Sequence, residues 1–259
     1  MDLKNKVAIV TGASQGIGKA VALVLAKYGA NIVAADIKTD GITQVVEKTK
    51  LLGRRGLAVT MDVSNKEQVN TAVRKATEEF GEIDILVNCA GIIASSLVVD
   101  LKEDIWDKIM DVNAKGVFLV SQAVAKEMIK NSIKGKIVNI SSIAAKVGEA
   151  GNGPYCASKA AVSMLTQVLA LELAPYGINV NAICPGHTDT EMMQQVFQKR
   201  GPIEGFTPEQ YKGKLILDIP LKRMAKPEEI GELVAFLVSD KSEYVTGVAI
   251  TIAGGKLLF

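Results

Sequence analysis

An α/β fold, one domain built on a seven-stranded parallel sheet with helices on both faces, is what this 259-residue sequence predicts. Two features carry that expectation. Short β-branched apolar runs alternate with longer segments of helical period, as in βαβ units around a sheet buried on both faces. No Pro/Gly/Ser-rich linker, repeat or low-complexity tract divides the series.

In chain order, the apolar runs place strands at residues 7–10, 32–35, 58–61, 85–88, 136–140, 179–183 and 248–252. Helical period places helices at 16–28, 42–52, 66–80, 102–130 (expected to be broken), 155–174 and 227–238. Ser64 is the start signal read for the third helix, and Pro227 sits in the first turn of the last. The exception is 188–221, where Gly201-Pro202, Gly205, Thr207-Pro208 and Gly213 break any long period. Irregular chain of that length suggests a lid over a substrate site, with Met192, Met193, Phe197, Phe206 and Tyr211 as its apolar lining. The competing reading is a two-helix surface excursion whose apolar residues simply pack down.

Composition excludes several function classes. Thirty basic against twenty-eight acidic residues leave a formal charge of +2, which argues against a nucleic-acid partner. Hydrophobic residues make up 48% and charged residues 22%, ordinary for a soluble globular protein. No apolar run approaches the roughly 18 residues of a membrane span, and no signal-peptide pattern opens the chain. A cytoplasmic protein without a membrane partner is expected. Cys89, Cys156 and Cys184 are widely spaced, with no Cys-x-x-Cys, so neither a disulfide framework nor a zinc knuckle is readable. The single histidine, His187, excludes a multi-histidine metal site, and no metal is expected.

Gly12, Gly16 and Gly18 stand between the first strand and the first helix. A turn without Cβ atoms lets backbone N–H groups approach a pyrophosphate at the positive end of the helix. A Walker loop does not fit, because five residues separate Gly12 from Gly18-Lys19 and Ala20 stands where Ser or Thr is needed. Gly12-Ala13-Ser14-Gln15-Gly16 also matches the elbow of serine hydrolases, but no earlier strand-loop exists to supply the second oxyanion donor. A purely structural glycine turn is the third alternative. Asp36 ends the second strand eighteen residues after Gly18, near the offset at which an acid bonds the adenosine ribose. Its charge would repel a 2′-phosphate and Gln15 offers no compensating cation, so NAD is favoured over NADP; Lys38 would soften that choice. Lys48, Lys50, Arg54 and Arg55 cluster at the end of the second helix, where cations complement the helix dipole.

Taken with Asp62-Val63, Asn88-Cys89-Ala90-Gly91, Val112-Asn113, Ser141-Ser142, Tyr155-Cys156-Ala157-Ser158-Lys159 and Pro185-Gly186 followed by Thr190, the chain resembles the short-chain dehydrogenase/reductase family in its one-domain form. The resemblance covers essentially the whole chain and implies a Rossmann fold. It departs at Cys89, commonly a second asparagine, and at Ala253, commonly an aspartate, which bear on packing or assembly more than on chemistry.

The resemblance implies a catalytic set of Asn113, Ser142, Tyr155 and Lys159. Tyr155 and Lys159 are four apart and share one helix face, where an ammonium would stabilise a phenolate. The resemblance makes Tyr155 the general acid/base, Lys159 its partner and a ligand of the nicotinamide ribose, and Asn113 the support of a water leading to solvent. Ser142, thirteen residues before Tyr155, would orient the substrate oxygen. Ser141 points the other way by strand alternation. Cofactor contacts carry over to Gly12, Ser14, Gln15, Gly16, Ile17, Gly18, Asp36, Asp62, Val63, Asn88, Ala90, Gly91, Tyr155, Lys159, Pro185, Gly186, Thr188 and Thr190. His187 reads as a passive or substrate-lining residue.

The expected activity is NAD-linked interconversion of a secondary alcohol and a ketone. The long lid and the Gly254-Gly255-Lys256-Leu257-Leu258-Phe259 ending look most like relatives acting on polyols, sugars or vicinal diols and acetoin. The alternatives are a 3-oxoacyl-carrier-protein reductase and a non-catalytic nucleotide-binding protein. Relatives are commonly homotetramers, and the apolar terminus Leu257-Leu258-Phe259 is expected near a subunit interface.

Overall fold

The computed structural model describes residues 1–258; Phe259, part of the expected interface terminus, lies outside the described residues. Its strands are β1 (Val7–Thr11), β2 (Asn31–Asp36), β3 (Gly56–Thr60), β4 (Ile85–Asn88), β5 (Lys136–Ile140), β6 (Asn179–Pro185) and β7 (Ala249–Ile252). They form one parallel sheet in the order β3-β2-β1-β4-β5-β6-β7. The helices are α1 (Gly16–Lys27), α2 (Thr39–Leu51), α3 (Lys66–Phe80), α4 (Glu103–Met110), α5 (Gly116–Lys130), α6 (Gly153–Leu173), α7 (Glu191–Ile203), α8 (Pro208–Leu217) and α9 (Pro227–Leu237).

Strand alternation gives the sheet two cores. Val7, Ile9, Val33, Leu86 and Ile137 face α3, α5 and the end of α6, whereas Ala8, Val10, Ile32, Val87 and Val138 face α1, α2 and α9. Fully burying each such side chain contributes about 1.5–3 kcal/mol. Both faces are covered, as the sequence predicts for a parallel sheet.

Three local differences have physical causes. The Ser64 hydroxyl donates to Asp62 Oδ1 at 2.7 Å, so the cap of α3 is instead Asn65, which accepts from the amides of Glu67 and Gln68. The break expected within 102–130 is a π-turn over Asp111–Lys115, where the Gly116 amide reaches back to the Asp111 carbonyl. Segment 188–221 is two helices rather than irregular chain: Thr190 caps α7, and Thr207 and Gln210 form a capping box on α8. Val196, Phe197 and Tyr211 bury against Met224, with Ile93 and Phe206 alongside.

The sequence reading passed over one apolar stretch. Gly153–Tyr176 is long and apolar enough, by length and composition alone, to cross a membrane. Its polar residues Ser158, Lys159 and Thr166 are buried, and Met164, Val168 and Leu171 are exposed.

Candidate functional site

Because every strand runs the same way, Thr11, Asp36, Asn88, Ile140 and Pro185 end on one edge of the sheet. Strand order reverses between β1 and β4, which opens a crevice there. Thr11 Oγ1 accepts from the amides of Cys89 and Ala90 at 3.1 and 3.2 Å, fastening the two diverging loops.

The glycine turn is built for close approach. Gly12 and Gly16 have φ of +64° and +52°, and a Cβ on Gly12 would lie 2.8 Å from Ala90 Cα. A Cβ on Gly18 would collide with the Gly12 carbonyl. The Ser14 hydroxyl is buried without a partner among the described residues, while its amide donates to Asp36 at 3.2 Å. An orphaned hydroxyl beside a Cβ-free turn and a strand-end carboxylate is the cradle that a dinucleotide needs. A buried Ser14 tied to Asp36 is no exposed nucleophile, so the hydrolase-elbow alternative gains no support. An open depression of about 600 Å³ adjoins, lined by Ser14, Gln15, Lys38, Thr39, Asp40 and Gly41.

Asp36 also accepts from the Lys38 amide at 2.9 Å, so its carboxylate is oriented from both sides. Lys38 Nζ donates to Gln15 Oε1 at 2.7 Å, which holds a cation over the turn. No local pattern signals that pairing, because Gln15 and Lys38 are twenty-three residues apart. Nor does one mark Gly41, where a Cβ would meet Ser14 Cβ at 2.6 Å.

Other expected contacts divide by direction. Asp62 Oδ1 is engaged by the Ser64 amide and hydroxyl, and Val63 packs into the core against Gly116. Asn88 turns its side chain inward, donating to Ser121 Oγ at 3.0 Å and Asn139 Oδ1 at 2.8 Å. Any contact from Val63 or Asn88 to a cofactor therefore uses backbone. Gly91 abuts Asn113 and Lys159, since a Cβ there would stand 3.5 Å from Lys159 Nζ. Ile17 is half-buried at the start of α1. Pro185 ends β6, and the Thr188 hydroxyl donates to the Gly186 carbonyl at 3.3 Å. The Thr190 hydroxyl accepts from the Met193 amide at 3.4 Å.

Ser142, Tyr155, Lys159 and Asn113 come together around the end of β5 and the start of α6. Ser142 Oγ accepts from the Ala144 amide at 3.1 Å, leaving its proton to donate, and it hydrogen-bonds Tyr155. Ser141 turns away, as alternation predicts, toward the Lys159 carbonyl and Ser163. Lys159 Nζ donates to the Ile140 carbonyl at 2.8 Å and lies 5.7 Å from the Tyr155 ring centre. Asn113 is fully buried: Oδ1 accepts from the Ile92 amide, and Nδ2 donates to the Ile92 carbonyl and Ser158 Oγ.

The electrostatics differ from the sequence expectation. Burial pushes the Tyr155 phenol up to about 12 against the opposing pull of Ser142, and burial brings the Lys159 ammonium down to about 8. Desolvation outweighs the hydrogen bond from Ser142, so the resting tyrosine is a proton donor. Burial also lowers His187 to about 4, with the Lys256 ammonium adding to the shift. His187 is neutral near pH 7, so no imidazolium is there to act as an acid.

A family model described as short chain dehydrogenase matches residues 6–201. The chain is 40% identical to a 3-oxoacyl-[acyl-carrier-protein] reductase of Thermotoga maritima over 258 residues, covering all of both chains. Among solved structures it is similar to an NAD+-bound xylitol dehydrogenase, with a TM-score of 0.94, 34% identity, and 98% and 100% of the two chains covered. It is similar also to an actinorhodin polyketide ketoreductase with NADPH, at a TM-score of 0.93, 33% identity and 97% of each chain.

Proposed function

We propose, from the premise that this chain belongs to the short-chain dehydrogenase/reductase family, that it is an NAD-linked dehydrogenase interconverting a polyol, sugar or vicinal diol with its ketone. The chain is an oxidoreductase of CH–OH groups using NAD(P). The finer reading rests on Asp36, whose carboxylate is oriented by two backbone amides beside the unpartnered Ser14 hydroxyl.

The nicotinamide, when bound, carries the hydride. Gly12, Gly16 and Gly18 leave room for the pyrophosphate, and Asp36 accepts from the adenosine ribose hydroxyls. Ser142 donates to the substrate oxygen and fixes it beside Tyr155. In the reducing direction Tyr155, held protonated by burial, gives its phenolic proton to the carbonyl oxygen; in the oxidising direction it takes the proton back. Lys159, anchored on the Ile140 carbonyl, carries the charge that favours the phenolate at that moment. Asn113 clamps the Ile92 peptide to α6 through Ser158, and the π-turn around it gives a water route toward Lys159 its support. Helices α7 and α8 serve as the lid over the substrate.

The reading includes a cytoplasmic homotetramer. Its support is the exposed apolar face of Met164, Val168 and Leu171 on α6 with Phe118 on α5. The full-length similarity to a 3-oxoacyl-carrier-protein reductase favours a second reading, with the same catalytic residues and NADPH.

Reduced-nicotinamide absorbance separates them, with NAD and NADP in turn, across xylitol, sorbitol, butanediols, acetoin and a 3-oxoacyl thioester. NAD-linked turnover of a polyol or diol is expected. Turnover of the thioester alone, with NADPH, selects the second reading. Tyr155→Phe is expected to abolish turnover while leaving nucleotide binding intact, and retained turnover refutes the assignment.

A further inference from the structure

Residues 253–256 fold back against the turn that follows β6, on the edge of the sheet where Ser142 and Pro185 lie. Gly186 donates its amide to the Ile252 carbonyl at 2.9 Å, and a Cβ on Gly186 would lie 2.9 Å from both Cα and Cβ of Ala253. The turn after β6 therefore rests directly on Ala253. A longer acidic side chain at that position would bring its carboxylate against this contact.

Two left-handed glycines then reverse the chain. Gly254 and Gly255 have φ of +60° and +88°, and Cβ atoms there would meet Ile219 and Pro220, each at 2.9 Å, just beyond α8. The reversal carries Lys256 back to His187, with Lys256 Nζ 3.0 Å from His187 Nε2. An ammonium can only donate, so Nε2 accepts and Nδ1 keeps the ring proton.

Charges from four segments surround His187. Lys256 comes from the tail, Asp218 from the end of α8, Arg200 from α7, and Glu149 from the loop after Ser142. Glu149 is within electrostatic reach of Tyr155 as well, which joins the ring to the catalytic centre. Arg200 is committed to Glu149 at 3.9 Å, Glu204 at 3.3 Å and the Ala150 carbonyl at 3.3 Å. Lys256 is less committed. Its side chain is 23% exposed, its hydrogen-bond partner among the described residues is His187, and its nearest carboxylate, Asp218, is 4.0 Å away.

We propose that Lys256 and His187 form a specificity subsite that holds a hydroxyl of the substrate distal to the reacting carbinol, the Lys256 ammonium donating to its oxygen. This rests on the polyol reading above and names the residues that enforce it. Near-balanced charge with donors and acceptors intermixed suits neutral hydroxyls, which both donate and accept. The same ring is a poor bed for an apolar acyl chain, which would bury these polar groups without partners.

The test compares xylitol with butan-2-ol, which lacks a distal hydroxyl, for the wild type and Lys256→Met with NAD. The variant is expected to raise KM for xylitol about tenfold or more, with kcat and the NAD affinity within twofold of wild type. KM for butan-2-ol is expected unchanged. Should that variant not fold, Lys256→Gln, which keeps the length and one donor, is read on the same two alcohols and is expected to raise KM for xylitol alone. A wild type that turns over xylitol, with a variant that matches it or loses both alcohols equally, overturns the subsite alone. A wild type inactive on xylitol and sorbitol overturns the polyol reading and the subsite together.

Discussion

Lowering the pH from 7 to 5 is expected to cost the folded protein about 2 kcal/mol through a single side chain, His187. Burial and then the Lys256 ammonium bring its pKa from the ordinary 6.5 down to about 4. Between those values the unfolded chain binds a proton that the folded protein refuses, so stability falls as pH falls through this window. At pH 5 the unfolded imidazole is almost fully protonated and the folded one almost entirely neutral; integrating over this interval gives about 2 kcal/mol. His187→Gln keeps an acceptor for Lys256 and removes the titration. Urea unfolding of wild type and variant at pH 7, 6 and 5, at one protein concentration, isolates the effect, because other acid-labile groups act alike on both. The stability difference between them should change by about 2 kcal/mol toward the variant as the pH drops. Parallel pH dependences would refute the burial argument.

Gly18→Ala is expected to weaken nucleotide binding and lower the unfolding midpoint, since the new methyl group meets the Gly12 carbonyl; calorimetric titration with NAD and thermal scans check this. Asp36→Ala is expected to shift the ratio of NADP to NAD kcat/KM upward by about tenfold or more, because it removes the charge opposed to a 2′-phosphate and leaves Lys38 in place. Phe197→Ala empties the cluster between α7 and α8, the proposed lid, an expected local loss of about 3 kcal/mol; limited proteolysis should then cut within 188–221 first, with KM rising ahead of any fall in kcat. Leu171→Glu is expected to split the proposed tetramer, read by light scattering as a smaller particle.

Strands and helices were legible because period and parity are local properties. Segments 85–88, 136–140 and 66–80 match their elements at both ends. Strand parity could also have placed the side chain of Asn88, which shares the parity of Leu86 and turns with it toward α5. The gathering of Asn113, Ser142, Tyr155 and Lys159 was foreshadowed by the resemblance alone, since spacing does not bring Asn113 to Ser158. The helices of 188–221 were hidden because Pro202 and Gly213 lie inside them, although Thr207-x-x-Gln210 is a readable capping box. The place of Lys256 depends on two positive φ angles and on packing against Ile219 and Pro220, which no local pattern encodes. The upward shift of Tyr155 was hidden for a similar reason. Spacing reveals that an ammonium is near, whereas desolvation depends on everything that covers the pair.

Helix α6 presents Tyr155 and Lys159, the proposed acid/base pair, at one end and a water-facing apolar stripe farther along. Tyr155 and Leu171 are sixteen residues apart on one unbroken helix, roughly 24 Å at 1.5 Å per residue. One continuous helix joins the two ends, so a substitution on the stripe that displaces the helix would move the phenol without touching the cleft. A substitution on the outside of this protein can therefore look kinetically like a catalytic one, and distance from the substrate is a poor guide to which residues leave turnover unaltered.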